Sequence, residues 1–509
     1  MRPALARPVA PASSRPRRVR REDRAASDRH RRAVATTAMA PSTSSSSDAS
    51  STDPTRFVSS AAKAQQANQG AAQVWAQITA LAAEPGVLDL GQGWPDFGAS
   101  DVARDAAAAV IAADDDPRAN QYSVISGRPE LVTALKRYYE ATGSSPSDVL
   151  VTSSGTEACY VAMRALLDPG DEVIFLEPFF PWYLSHAKLC GAVARTVRMK
   201  PTRSNSNSND DETGTGTERL RFALDEDALR RAFEEGRGKT KLFVHNSPHN
   251  PTGAVSSRKD VELVARLCQE FDVAVLADEV YERCTFGVGG GGGGDDATSV
   301  GETAEVEPFH RMMDVEGMAE RTITVGTSSK LLALTGWRVG WLAGPPALIA
   351  ACKTMHSYTT YCAPTPLQLG VAAALDVISE DAKGAVSADA AAATMARNAT
   401  LLAAALTDVG CVPIEPSGGY FLVVDVSPLG LTSVEYCTKL ATEAKIAAVP
   451  LDVFYHDDDG DASGGGKGAG DGEDAAAAPP NNYVRFCVCK RRETIETCAA
   501  AIRANPVRK

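Results

Sequence analysis

The sequence lacks several features that would place it in well-known classes of protein. It has no apolar run of about 18 residues, so a membrane-spanning helix is not expected. Its eleven cysteines are scattered, and their spacing fits neither a disulfide framework nor a zinc site, which indicates reduced thiols in an intracellular compartment. A positive charge excess is missing too: the formal net charge of -12 argues against nucleic acid as the main partner. The remaining composition is that of an ordinary soluble protein.

The N-terminal segment differs in composition from the rest of the 509-residue chain. Residues 1–32 hold eleven Arg against three acids, and 33–52 are mostly Ala, Ser and Thr. Arg- and Ser-rich, acid-poor sequence is typical of an organelle transit peptide, so 1–54 are predicted to direct the protein to an organelle. A chloroplast is favoured and a mitochondrion is second. If the segment is only a disordered tail, the protein is expected in the cytoplasm.

Apolar runs of strand length alternate with helical patterns through the rest of the chain. Three polar or Gly-rich stretches interrupt them and are predicted to be surface insertions: 201–218, 287–298 and 457–482. The predicted elements are strands over 148–152, 172–176, 241–245, 273–277 and 322–325, and helices over 157–167 and 258–270. This alternation predicts an α/β protein with a mostly parallel sheet covered on both faces.

Length and pattern predict two domains. Residues 93–390 are expected to form the large domain, and 391–509 a smaller α/β domain with strands over 418–425 and 483–488. Residues 55–92 are predicted to be an N-terminal arm that contributes to the small domain.

Several chemically informative residues follow the predicted strands. Lys330 lies among small and apolar residues, eight positions before Arg338. A lysine must lose its proton to attack a carbonyl, and a desolvated pocket promotes that loss. Asp278 follows an all-apolar strand and precedes Tyr281 by three residues. Open α/β sheets bind ligands at the carboxyl ends of their strands, so these residues are predicted to share one site.

Two further runs fit the same site. Asn250-Pro-Thr-Gly follows the strand over 241–245, and Ser154-Gly155-Thr156 opens a predicted helix whose free N–H groups suit an anion. Taken alone, each is weak evidence: Asn250-Pro-Thr-Gly could be a simple turn, and Asp278 could be a helix cap.

In order and spacing, these motifs resemble those of the pyridoxal 5′-phosphate (PLP) enzymes of the aspartate aminotransferase fold. The closest likeness is to the kynurenine aminotransferase/glutamine transaminase K group, and it covers about residues 56–509 without the three insertions. The resemblance implies PLP-dependent transferase fold type I. It also implies that Lys330 forms a Schiff base with the aldehyde of PLP and then serves as the general base.

The resemblance assigns further roles to residues of this sequence. Asp278 would face the pyridine nitrogen of PLP, while Tyr281 and Asn250 would bond its phenolate oxygen. Phe180 would stack on the ring. The phosphate would be held by Gly155, Thr156, Thr327, Arg338 and, from a neighbouring subunit, Tyr122.

Arg485 is the predicted anchor of the substrate carboxylate, because a lone arginine in an apolar strand is costly to bury without a partner. An internal salt bridge is the alternative. The resemblance adds Gly93 and Asn250 as contacts near that carboxylate, and Tyr361 as an aromatic that enters the pocket of the partner subunit. A homodimer is therefore expected. No metal site is predicted.

The expected reaction is transamination between an amino acid and a 2-oxo acid. The aromatic residues Trp94, Phe180 and Tyr361 favour a bulky, apolar or aromatic donor: an aromatic amino acid, kynurenine, glutamine or methionine. A cysteine-S-conjugate β-lyase is the alternative within the same chemistry. A PLP-sensing regulator is disfavoured, since the N-terminal segment shows no helix-turn-helix pattern.

Overall fold

The computed structural model describes residues 57–60, 62–63, 70–113, 116–204, 219–286, 309–382, 387–456 and 480–509. The predicted transit segment 1–54 and the insertion 287–298 lie outside these ranges, as does 457–479 of the third insertion. Residues 59–509 form one compact unit. Among the described residues, no helix is long and apolar enough to cross a membrane.

The order of the elements alternates as predicted. The strands are β1 (Leu88–Asp89), β2 (Asp148–Thr152), β3 (Glu172–Glu177), β4 (Val193–Arg198), β5 (Lys200–Ser204), β6 (Arg219–Ala223), β7 (Thr240–Asn246), β8 (Ala274–Asp278), β9 (Thr322–Thr327), β10 (Gly340–Gly344), β11 (Val412–Ile414), β12 (Phe421–Asp425), β13 (Ile446–Ala447), β14 (Val449–Pro450) and β15 (Tyr483–Cys487). The α-helices are α1 (Gly70–Ala82), α2 (Asp101–Ala112), α3 (Pro129–Ala141), α4 (Gly155–Leu166), α5 (Trp182–Cys190), α6 (Glu226–Glu235), α7 (Arg258–Glu270), α8 (Ser328–Leu331), α9 (Pro346–Ser357), α10 (Thr365–Ala382), α11 (Ser387–Asp408), α12 (Ser433–Glu443) and α13 (Arg492–Ala504).

The main sheet has seven strands in the order β2-β10-β9-β8-β7-β3-β4. Strands β4, β3, β7, β8 and β9 are parallel, and only β10 runs antiparallel to its neighbours β9 and β2. The prediction of an α/β fold with a mostly parallel sheet is confirmed.

The central strands are buried because helices cover both faces of the sheet. All of β8 except Ala274 is buried, and β7 exposes only Lys241. The helix α7, between these strands, begins at a capping box in which Ser257 and Asp260 satisfy each other's backbone N–H groups. Its apolar face, which includes Val264, packs into the core.

A second sheet lies in the C-terminal part of the chain. Its four antiparallel strands have the order β11-β12-β15-β14. Strand β1, near the N-terminal end of the described residues, pairs in parallel with β13 of this region. The division into a large domain and a small domain at residue 390 stays a prediction.

One predicted insertion begins later than the sequence suggested. The prediction of a loop over 201–218 is wrong for 201–204, because β5 pairs with β6 in an antiparallel ladder from Lys200↔Ala223 to Ser204↔Arg219. Main-chain hydrogen bonds therefore override the polar composition of these residues.

Candidate active site

The carboxyl ends of the parallel strands meet at one edge of the sheet, where a cavity of about 450 Å³ opens. Asn246, at the end of β7, lies opposite Asp278, at the end of β8. Of the predicted site residues, the cavity is lined by Gly93, Gly155, Thr156, Phe180, Asn250, Asp278, Tyr281, Thr327, Lys330, Arg338 and Arg485. These side chains, far apart in sequence, are therefore brought together as expected.

Lys330 projects from the short helix α8, which follows β9 directly. Its Nζ donates a hydrogen bond to the carbonyl of Gly93 at 2.5 Å and lies 5.6 Å from the ring centre of Tyr281 and 5.2 Å from that of Tyr420. The Tyr420 hydroxyl fixes the helix by donating to the Lys330 carbonyl at 2.8 Å. Burial lowers the pKa of Lys330 to about 8, so a larger fraction of the amine is unprotonated near neutral pH.

Asp278 is a buried carboxylate whose described surroundings contain no paired cation. It accepts a short hydrogen bond from the Tyr183 hydroxyl and a longer one, at 3.4 Å, from the Val280 N–H. Burial raises its pKa to about 6. Asn246 holds the end of the strand by donating to the Asp278 carbonyl at 2.8 Å. Such a carboxylate is suited to a buried, positively charged partner.

Arg485 lies in β15 and is almost fully buried without an acidic partner among the described residues. Its Nη1 donates to Oδ1 of Asn250 at 2.9 Å, and its Nη2 donates to the Gly91 carbonyl at 2.7 Å. Its guanidinium stacks 3.9 Å from the ring centre of Phe421. The internal salt bridge considered from the sequence is thus not the arrangement found. Burial lowers the pKa of Arg485 to about 10, which leaves it charged at neutral pH.

An anion cradle forms where α4 begins. Ser154 caps this helix at φ +98°, a conformation that non-glycine residues rarely adopt and that often marks a functional site. Gly155 and Thr156 follow at the helix N-terminus, and Thr327 and Arg338 line the cavity beside them. Strand β10 approaches so closely that a Cβ on Gly340 would lie 2.4 Å from the Ser154 carbonyl carbon.

Three polar atoms of the cavity lining are buried and have no partner in the described part of the chain. They are Trp75 Nε1, Ser329 Oγ and Arg485 Nε. Buried donors are rarely left unsatisfied, so they indicate that the cavity holds a polar ligand. With Asp278 for a cationic ring nitrogen, the Ser154–Thr156 helix start for a phosphate and Lys330 for an aldehyde, the donor set fits PLP.

Aromatic side chains form the outer wall. Phe180 stacks on Trp182, with ring centres 4.9 Å apart and planes 15° apart, and Trp182 stays 43% exposed. Trp94 does not contribute, contrary to the sequence-based interpretation: it lies outside the cavity lining, with Lys490 Nζ 4.0 Å from its ring centre. The tryptophans that line the cavity are Trp75 and Trp182.

Tyr122 and Tyr361 also lie outside the cavity lining of their own chain. They contact each other edge to face, with ring centres 5.8 Å apart, and are 85% and 45% exposed. Their predicted role in the site of a neighbouring subunit stays a prediction.

Tyr183, Ser329, Asn246 and Trp75 are among the site residues that the sequence did not predict. Tyr183 lies three residues after Phe180 and Ser329 directly precedes Lys330, so both neighbour predicted site residues. Asn246 carries the same signal as Asp278, a polar residue at the end of an apolar strand. Trp75 lies in α1, and no motif or strand end in the sequence predicted a role for it.

Comparison with known proteins decides the family. A family described as aminotransferase class I and II matches residues 85–501. The chain belongs to this family. The aminotransferase has the fold of N-succinyldiaminopimelate aminotransferase from Mycobacterium tuberculosis, with a TM-score of 0.68 and 32% identity over 85% of this chain and 96% of that one. It is 30% identical to human kynurenine–oxoglutarate transaminase 3, over 86% of this chain and 88% of the relative.

A third similar protein is YbdL of Escherichia coli, whose structure was reported with a methionine aminotransferase function. The TM-score is 0.68, with 26% identity over 85% of this chain and 96% of that one. Class I and II aminotransferases depend on PLP and use amino acids and 2-oxo acids as substrates. The chain is therefore an aminotransferase, and the β-lyase alternative is not favoured.

Proposed function

We propose that this aminotransferase uses PLP to transfer the amino group of a donor with a neutral, bulky side chain to a 2-oxo acid. Aromatic amino acids, kynurenine, glutamine and methionine are the donors in question. The observation that carries the proposal is Arg485: a buried, charged guanidinium held by two neutral oxygens, whose Nε has no hydrogen-bond partner among the residues that the structure describes.

The charges of the cavity support a neutral side chain on the donor. Among the described residues that line it, the cations are Lys330, Arg338 and Arg485. If Lys330 reacts and Arg338 holds phosphate, then only Arg485 remains for a substrate carboxylate. A second carboxylate on the donor would lose its hydration without gaining an ion pair, which is unfavourable. The stacked Phe180 and Trp182 offer an apolar surface instead.

The chain's own residues have separable tasks. Asp278 would keep a proton on the ring nitrogen of PLP, and Tyr281 would donate to its phenolate oxygen, since burial raises the pKa of that tyrosine well above its usual value. When bound, PLP withdraws electrons from the α-carbon of the substrate. Arg485 would orient the substrate through its carboxylate. The unprotonated Nζ of Lys330 would take the α-proton and return it at the other end of the reacting system.

A half-reaction screen tests the donor class. The purified holoenzyme is mixed with one amino acid at a time, without a 2-oxo acid, and the absorbance change of the cofactor is followed. Kynurenine, phenylalanine, glutamine or methionine is expected to react at least tenfold faster than aspartate or glutamate. Fastest reaction with a dicarboxylic donor would contradict the proposal. Pyruvate and ammonia release from a cysteine S-conjugate measures the lyase reaction in the same preparation.

We also propose that residues 1–54 direct the enzyme to an organelle, with the chloroplast favoured. The Arg- and Ser-rich, acid-poor composition supports this. Fusion of 1–54 to a fluorescent protein, with a second fusion in which the arginines are replaced by glutamine, tests it. Plastid import of the first fusion alone is expected; mitochondrial import would select the second organelle, and diffuse fluorescence of both would refute the proposal.

A further inference from the structure

A second cavity lies behind Lys330. It has a volume of about 410 Å³, close to that of the candidate active site. Val280 and Lys330 line both cavities, so these two residues form a common wall. The rear cavity, as we call it, takes its other walls from α10, α11, the start of α2 and the segments after Tyr281 and Lys330. None of the predicted roles of the site residues uses this space.

Most of the rear cavity is apolar. Leu332, Ala374, Ile378 and Met395 line it, and Met395 is only 4% exposed. Small-molecule sites usually have such apolar walls and a few convergent polar groups, in volumes of about 300–1,000 Å³. The rear cavity therefore has the size and lining of a site for a compact organic molecule.

Arg283 contributes a positive charge to the lining of the rear cavity. Its Nη1 is buried and has no hydrogen-bond partner in the part of the chain that the structure describes. Glu282, the acid next to it in sequence, contacts other residues: it accepts from the Tyr138 hydroxyl at 2.7 Å and forms a short ion pair with Arg311. A buried guanidinium nitrogen without a partner is unfavourable, and a ligand that pairs with it would remove that cost.

The charged residues that line the rear cavity favour an anion. Its lining contains Arg283 and Lys330 but no Asp or Glu among the described residues. Burial raises the pKa of Cys284 to about 12 and that of Tyr420 well above its usual value, so both stay neutral. One guanidinium matches one carboxylate, whereas a phosphate would leave oxygens unsatisfied in apolar surroundings.

We propose that the rear cavity is a second binding site, which takes an organic monocarboxylate with a compact apolar body and pairs its carboxylate with Arg283. Because Lys330 forms part of the wall, the bound anion stabilises the protonated form of the lysine. The ligand thereby slows the amine chemistry of Lys330 from the side opposite the substrate. A higher concentration of amino donor does not relieve that inhibition.

Equilibrium dialysis of the holoenzyme against 3-phenylpropionate tests the proposal. This probe also suits the carboxylate anchor of the active site, so the two sites are separated by variants. The unchanged enzyme is expected to bind the probe at two sites. Arg485→Met keeps only the rear site, Arg283→Met keeps only the active site, and the double variant binds at neither. The neutral 3-phenylpropanamide is expected to bind the rear site at least tenfold more weakly.

Two controls keep the result clear. Arg266→Met removes an exposed arginine of α7 that lies outside the rear cavity, and it is expected to change nothing. Ala391→Phe, at an exposed lining position of α11, fills the cavity and should abolish rear binding even if Arg283→Met fails to fold. Arg283→Met should also lose the part of the inhibition that a higher concentration of amino donor does not relieve, while kcat and KM without the probe stay unchanged.

A single site that is lost in Arg485→Met and unaffected by both Arg283→Met and Ala391→Phe would overturn the proposal. Equal rear binding of the amide and the acid would overturn the role of Arg283. Neither result bears on the donor class, which the half-reaction screen measures with amino acids alone.

Discussion

Arg485 and Asn250 are joined by a hydrogen bond of 2.9 Å from Nη1 to Oδ1, across 235 residues of sequence. The bond connects strand β15 of the C-terminal sheet to the loop after β7 of the main sheet. The proposed substrate anchor is therefore positioned by a residue that also lies beside the predicted cofactor site.

Replacement of Arg485 by Met should lower kcat/KM for the amino donor by roughly two to three orders of magnitude. A bidentate, charge-assisted pair contributes about 3–4 kcal/mol, and each 1.4 kcal/mol corresponds to a factor of ten. Arg485→Lys keeps the charge but loses the bidentate geometry of the guanidinium. Its kcat/KM should therefore lie between those of the unchanged enzyme and Arg485→Met. Steady-state kinetics measure this. Lower stability with an unchanged kcat/KM would instead identify Arg485 as a structural residue.

Replacement of Lys330 by Ala should abolish the absorption band of the lysine-bound cofactor and reduce turnover by at least about 10²- to 10⁴-fold, the usual contribution of a general base. Absorbance spectra and turnover are measured on the same preparation. Lys353→Ala, at an exposed lysine of α9, is the matched control and should retain both. A Lys330→Ala enzyme that keeps the band and turnover would place the reactive lysine elsewhere.

Gly93→Ala should reduce activity strongly, because a Cβ at this position would lie 2.7 Å from the ring of Phe421 and 3.7 Å from Nζ of Lys330. Either the ring, which supports Arg485, or the loop must move. Gly98→Ala is the matched control in the same segment, since nothing lies within 4 Å of its added Cβ. Steady-state kinetics and thermal unfolding of the two variants are compared. If Gly93→Ala matches Gly98→Ala in both, the loop accommodates the added methyl group without loss of activity or stability.

Asp278→Asn should stabilise the cofactor-free protein at neutral pH while it impairs catalysis. The pKa of Asp278 is raised from 3.8 to about 6, so the folded state binds the proton more tightly than the unfolded state. Stability of the unchanged protein therefore falls as the pH rises from about 4 to about 6, by up to about 3 kcal/mol at 1.36 kcal/mol per pKa unit.

Urea unfolding of the cofactor-free protein at pH 5 and pH 7.5 measures the upper half of this decline, about 1.4 kcal/mol. Asp278→Asn should remove the decline, whereas Asp105→Asn, at an exposed position of α2, should leave it in place. If Asp278→Asn destabilises the protein equally at both pH values, burial of the carboxylate is not the cause.

Mixing two inactive variants should restore activity if Tyr122 serves a neighbouring subunit. Tyr122→Ala would impair the partner's phosphate site, and Lys330→Ala its own site. In a mixed dimer, one site then carries both changes and the other carries neither. Activity after co-refolding, absent from each variant alone, is the expected outcome. No recovery despite a mixed dimer in native mass spectrometry would assign Tyr122 to its own chain.

Much of the site could be predicted because its residues follow apolar runs of strand length. Asp278 and Lys330 were placed at one edge of the sheet by the rule that parallel strands end together. The role of Trp75 could not be predicted, since it depends on how α1 packs against a site formed by distant segments. The position of Trp94 could not be predicted for a related reason, since it contacts Lys490, which is almost 400 residues away in sequence. Strand β10 was not predicted at all.

The reversed direction of β10 has a consequence for anion recognition in mixed sheets. The polar residues of the neighbouring strands follow the carboxyl ends of those strands at one edge of the sheet. Arg338 lies at the same edge, but it precedes the amino end of β10. A guanidinium and a helix start can thus converge on one anion from chain segments of opposite polarity. Searches for such sites should therefore inspect the amino-terminal flank of any lone antiparallel strand.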